Sequence, residues 1–165
     1  MAFASVNEIE RFSFEDCQLV SMEIRGGSLV LTADAVIVKA RNSQNSHFTD
    51  SYADTLVMTL EGGRVDKAVE EGFKRYDANE VLVEEVPDRP LSARELKDLA
   101  ASCGGFYLFT FERLGKEEDR YQCVLEIEDP GEDTYDVTAS RTYELTVSFD
   151  RAVFTWDRFL NHVER

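Results

Sequence analysis

The sequence predicts an α+β fold in a single domain, residues 1–165: a mainly antiparallel sheet that could curl into a half-barrel, with two to three helices packed on it. Three observations predict it. Apolar and polar residues alternate with the strand period of two through most of the chain. Interior stretches switch to the helical spacings of three and four. Gly-Gly recurs at Gly26-Gly27, Gly62-Gly63 and Gly104-Gly105, where one period stops and another begins.

Val20, Met22 and Ile24 alternate with Ser21 and Glu23, and Leu29 to Val38 is almost continuously apolar, as in a strand covered on both faces. Gly26-Gly27 between them reads as a hairpin turn, because glycine reaches positive φ without a Cβ clash. Lys39 to Ala53 is polar and aperiodic, and predicts a long mobile loop. Leu56, Met58 and Leu60 line one side of a strand that Gly62-Gly63 ends. Val65, Ala68, Val69, Gly72, Phe73 and Tyr76 then fall at spacings of three and four, which predicts a helix.

Glu80 to Val86 reads as a short strand stopped by Pro87-Asp88-Arg89-Pro90. Ser92-Ala93-Arg94-Glu95 is a capping box opening a helix with Leu96, Leu99, Ala100 and Cys103 on its stripe, and Gly104 stands where a left-handed C-terminal cap is expected. Three strand stripes follow: Tyr107, Phe109, Phe111; then Tyr121, Cys123, Leu125, Ile127; then Tyr143, Leu145, Val147, Phe149. Glu126 to Asp136, between the last two, holds six acids and no base. Val153 and Phe154 begin a further strand, and Trp156, Phe159, Leu160 and Val163 predict a terminal helix.

With 18 basic and 33 acidic residues the formal charge is −15. That field repels nucleic acid and anionic lipid and draws basic proteins in. No run approaches the roughly 18 apolar residues of a membrane span, and no secretory signal opens the chain, so a cytoplasmic protein with no membrane partner is expected. Cys17, Cys103 and Cys123 are odd in number and lack a C-x-x-C pair, so they read as small buried side chains.

The glycine pairs match neither phosphate-binding pattern, and Asp66 would occupy the turn where a phosphate should sit. His47 and His162 have no further His or Cys at ligand spacing, and the acidic run departs from a Ca²⁺ loop at Gly131; no metal or cofactor is expected. The stripe Tyr107, Phe109, Phe111 reads as core, with an apolar pocket as its alternative.

The segment Phe12-Ser13-Phe14-Glu15-Asp16-Cys17, followed by Leu19 to Ile24 and by Gly27-Ser28-Leu29-Val30-Leu31-Thr32, resembles the opening of small uncharacterised bacterial β-rich domains, some of them immunity-like proteins of toxin systems. The resemblance spans roughly 20 residues and implies a β-rich bacterial domain that acts by binding. No catalytic residue is carried over with it.

The sequence therefore points away from an enzyme and towards a non-enzymatic macromolecule-binding protein, immunity-like or accessory, with an acidic surface for a basic partner. Glu128, Asp129, Glu132, Asp133 and Asp136 are the candidate contacts. The alternative is a small-molecule binder or carboxylate-dependent hydrolase with a pocket under the 42–54 loop and Asp50, Tyr52 and Asp54 at its mouth. A homodimer is a third expectation, since Val30, Val36 and Val38 need cover on the second face of their strand.

Overall fold

The computed structural model describes residues 2–117, 119–131 and 140–164. In chain order these form β1 (Phe3–Val6), a 3-10 turn (Ile9–Arg11), β2 (Phe12–Ser13), β3 (Gln18–Arg25), β4 (Ser28–Asp34), β5 (Ile37–Val38), β6 (Ser51–Ala53), β7 (Leu56–Glu61) and β8 (Arg64–Glu70). Then come β9 (Phe73–Tyr76), β10 (Leu82–Val86), β11 (Arg89–Pro90), α1 (Ala93–Ser102), β12 (Tyr107–Glu117), β13 (Arg120–Asp129), β14 (Arg141–Phe149), β15 (Arg151–Trp156) and β16 (Phe159–His162).

Ten strands make one antiparallel sheet in the order β1-β15-β7-β4-β3-β12-β13-β14-β8-β11, and it does not close into a barrel. A four-stranded sheet, β16-β6-β5-β2, packs over it through aromatic contacts: Phe12 lies 4.6 Å from Phe154, and Phe159 lies 5.7 Å from Trp156, centroid to centroid. The core fills the space between, with Leu31, Met58, Leu125, Leu145 and Trp156 fully buried. Val36 and Val38 obtain their cover here, from the chain itself. Among the described residues no helix is long and apolar enough to cross a membrane.

The expected α+β class gives way to a sheet-dominated fold, 58% strand, with one α-helix and one 3-10 turn among the described residues. The helix expected over 65–76 is instead β8 and β9. Its spacing of three arises in a strand: Val65 pairs with Val147 and Lys67 with Thr146, so Asp66 is the extra residue of a bulge. That bulge returns Val65 and Ala68 to the same face, and a bulged strand then mimics a helical stripe. The expected terminal helix is β16; Trp156 and Phe159 stand three apart because a two-residue turn, Asp157-Arg158, leads from one sheet to the other. Gly62-Gly63 consequently joins two strands, with φ +67 at Gly62.

Two further bulges reset expected stripes. Val20 is the extra residue between Leu19 and Ser21, so Leu19 and Met22 are both buried and Val20 is left exposed; Ile24, on the face of Met22, is exposed next to the end of the strand. Phe109 is the extra residue of β12, which buries Leu108 and Phe111 and leaves Tyr107 and Phe109 stacked on the surface, 5.9 Å apart. The turn at Gly26-Gly27 is as expected, two residues at φ +42 and +84 between paired Arg25 and Ser28. The capping box is present, Ser92 Oγ accepting from the Glu95 amide at 3.1 Å, but the left-handed residue after the helix is Gly105, one place beyond Gly104.

Candidate partner-binding surface

Among the described residues β9 and β10 pair only with each other, and they stand outside both larger sheets as an arm. An acidic turn residue closes it: Asp77 Oδ1 accepts from the amides of Asn79 and Val81 at 2.8 and 3.0 Å. At the root, Asp88 Oδ1 accepts from the Gly72 amide at 2.7 Å. A Cβ at position 72 would stand 1.9 Å from the Val86 carbonyl oxygen, so only glycine permits the two chains to cross there. The arm is thus fixed at both ends. Along it Arg75 pairs with Glu84 at 3.2 Å and Lys74 with Glu85 at 3.8 Å, while Phe73, Tyr76, Val81, Leu82, Val83 and Val86 are between 39 and 57% exposed.

Beside the root lies the outer face of β13, β14 and β8. Leu125, Ile127 and Leu145 point into the core, so the pleat sends Glu126, Glu128 and Glu144 outward. Glu126 pairs directly with Glu144, and Glu144 with Val69; one row along, Glu128 pairs with Thr142, whose carbonyl accepts from the Glu71 amide at 2.8 Å. Burial, followed by the charges of Glu126, Glu144 and Asp88, pushes the Glu71 carboxyl above the ordinary glutamate value. Among the described residues none of Glu71, Glu126, Glu128 and Glu144 forms an ion pair. Like charges set opposite one another in a sheet are destabilising, so this arrangement costs the fold energy.

The neighbouring residue Glu70, on the other side of β8, is paired with cations: Arg89 donates to it at 2.7 Å and also to Glu95 at 2.6 Å, and Arg141 stands 3.7 Å away. Between the two sides a cavity of about 410 Å³ is lined by Glu71, Phe73, Val86, Asp88, Pro90 and Arg141 among others.

Of the acids singled out in the sequence, Glu128 belongs to this face, and Asp129 Oδ1 accepts from the Gly131 amide at 2.9 Å. Glu132, Asp133 and Asp136 lie outside the described residues. Glu71, Asp88 and Glu144 were not singled out, because their meeting depends on strand order; the parity of Glu126 and Glu144 within their stripes was the available signal.

The 42–54 segment is held by side-chain amides. Buried Asn45 donates to the carbonyls of Val38, Lys39 and Thr49, and Asn42 donates to Ser5 Oγ at 3.1 Å. Asp50 Oδ1 accepts from the Ala40 amide at 2.8 Å, Tyr52 donates to Asp16 Oδ2 at 2.7 Å, and Asp54 Oδ1 accepts from the Asp157 amide at 3.1 Å.

Folding brings the two histidines together, ring centroids 5.9 Å apart, with His162 Nδ1 3.1 Å from Ser51 Oγ. Ser51 is buried and its hydroxyl also lies 3.1 Å from the Thr49 carbonyl, which can only accept. The Thr49 carbonyl also accepts from Asn45, and the direction of the bond between Ser51 Oγ and His162 Nδ1 follows the imidazole tautomer. All three thiols are buried; burial, then the charge of Asp34 for Cys17 and of Glu10 for Cys123, pushes these two up to about 12, and burial raises Cys103 as well. None is a thiolate at neutral pH.

No protein-family model, curated protein or solved structure matches this chain.

Proposed function

We propose that this chain is a non-enzymatic protein-binding domain that docks a basic partner on the outer face of β8, β13 and β14. The observation that carries the reading is the set of carboxylates Glu71, Asp88, Glu126 and Glu144: Glu126 stands directly opposite Glu144, the charges of the last three add to burial in raising the affinity of Glu71 for protons, and among the described residues none of the four forms an ion pair. A face that costs stability in the free protein gains most when a Lys or Arg of a partner arrives, because the same repulsion that burdens the free state is relieved in the complex. The overall charge of −15 adds long-range attraction for such a partner. The expected role of an immunity-like or accessory protein, which works by occupying another protein, is in keeping with this.

Calorimetric titration with an oligolysine peptide in low salt tests it. The triple variant E71Q/E126Q/E144Q is expected to bind about tenfold more weakly than wild type. A control with the same charge change on exposed acids elsewhere, E23Q/D98N/E164Q, should lose much less. Equal losses in both triples would show diffuse attraction and overturn the reading.

A further inference from the structure

The arm raises a separate question. A two-stranded ribbon is at best marginally stable alone, yet this one holds no buried residue and exposes apolar side chains on both faces: Phe73 opposite Val86 on one, Tyr76 opposite Leu82 on the other. Its two edges differ. β10 carries a bulge at Val83, which interrupts the row of backbone groups an incoming strand would need. β9 is regular from Phe73 to Tyr76 and, among the described residues, pairs on one side only. Its first residue follows Gly72 and Glu71, so the open edge runs directly to the carboxylate cluster.

We propose that the arm receives an extended segment of the basic partner as a third strand along β9, with apolar side chains against Phe73 and Tyr76 and its basic end at the root beside Glu71 and Asp88. The inference rests on the reading of the acidic face as the docking surface and adds the conformation and chemistry of what docks. Main-chain hydrogen bonds to the edge supply affinity, and charge complementarity at one end sets the direction of the segment. A second copy of this chain suits the site less well, since it would bring a further net charge of −15 against the same face.

The probe is a synthetic peptide with a short β-branched apolar run ending in two lysines, compared with two twins N-methylated at alternate amides in the two possible phases. Strand pairing uses only every second amide, so one phase is expected to weaken binding about tenfold and the other to leave it nearly unchanged. The exposed pair F73S/V86S should lower affinity for the parent peptide while leaving the melting temperature near wild type. Equal affinity of both methylated twins would overturn the inference, and the reading of the acidic face would still stand if E71Q/E126Q/E144Q weakened the parent peptide. No binding of the parent peptide, with oligolysine still bound, would also overturn the inference alone; loss of both would remove the two together. Light scattering that shows a dimer which F73S/V86S converts to monomer would assign the arm to a second copy and overturn the inference as well.

Discussion

Replacing Glu144 with Gln removes one charge from the outer face and should stabilise the free protein. Glu144 stands opposite Glu126 in the β13–β14 ladder and acts on Glu71 across β8, so two like-charge contacts disappear. Each such pair in a sheet is worth roughly 0.2–1 kcal/mol, and half-exposed positions belong to the lower part of that range, which gives a gain of about 0.5–1 kcal/mol at pH 7 in low salt. In a chain of this size that raises Tm by about 2 °C. Two conditions should reduce the gain. In about 1 M salt the screening length falls to about 3 Å and the contacts are masked. At low pH the gain should shrink: the folded-state value of Glu71 is raised, so its contribution to stability is fully present below its ordinary value of 4.5 and is lost as pH rises through the raised one. Urea unfolding of wild type and E144Q at pH 7 and pH 4, each in low and high salt, gives all of these differences. If E144Q is neutral or destabilising at pH 7 in low salt, the carboxylates do not repel one another and the case for an unneutralised face fails.

Gly72→Ala places a Cβ 1.9 Å from the Val86 carbonyl oxygen, so the arm root must shift; faster amide exchange over 73–86 with the core unchanged is the expected result, at a cost of about 1–3 kcal/mol. Glu8 is drawn below the ordinary carboxylate value: burial pushes it up, but hydrogen bonds from the Ser43 hydroxyl and amide, Ser5 and Arg11 outweigh that. Its contribution is therefore present above pH 4.5 and lost as pH falls through the lowered value, so Glu8→Gln should cost about 1–2 kcal/mol in urea unfolding at pH 7 and little in acid. The three thiols should react with a maleimide at pH 8 no faster than the protein opens, and together on adding denaturant.

The strands were legible wherever alternation ran undisturbed, as in Leu56, Met58, Leu60 and in Cys123, Leu125, Ile127, because one buried face imposes period two on the side chains. The helix at 93–102 was legible from its capping box, which is a local device. What failed was parity. A bulge at Asp66 gave Val65 and Ala68 the spacing of a helix, and bulges at Val20 and Phe109 turned parts of expected stripes outward. Nothing in those residues marks the extra one, since it depends on what the partner strand offers. The polar segment 39–53 looked mobile because its order comes from Asn42 and Asn45, whose acceptors lie on other elements or several residues away.

The candidate surface shows the same division. Glu128 could be chosen from a run of acids, but Glu71, Asp88 and Glu144 come together only through the order β13-β14-β8, which joins strands distant in the chain. Exposed apolar residues at 73–86 were hidden by their own pattern, which resembles a buried face until both strands are seen, among the described residues, to pair with nothing else.

Backbone amide NMR shifts followed during titration with an oligolysine peptide in low salt locate the docking surface most directly. Shift changes concentrated on β8, β13 and β14 and at Gly72, and absent from E71Q/E126Q/E144Q, are the expected result. Changes spread evenly over the acidic surface, or centred away from Glu71, Glu126 and Glu144, would contradict it.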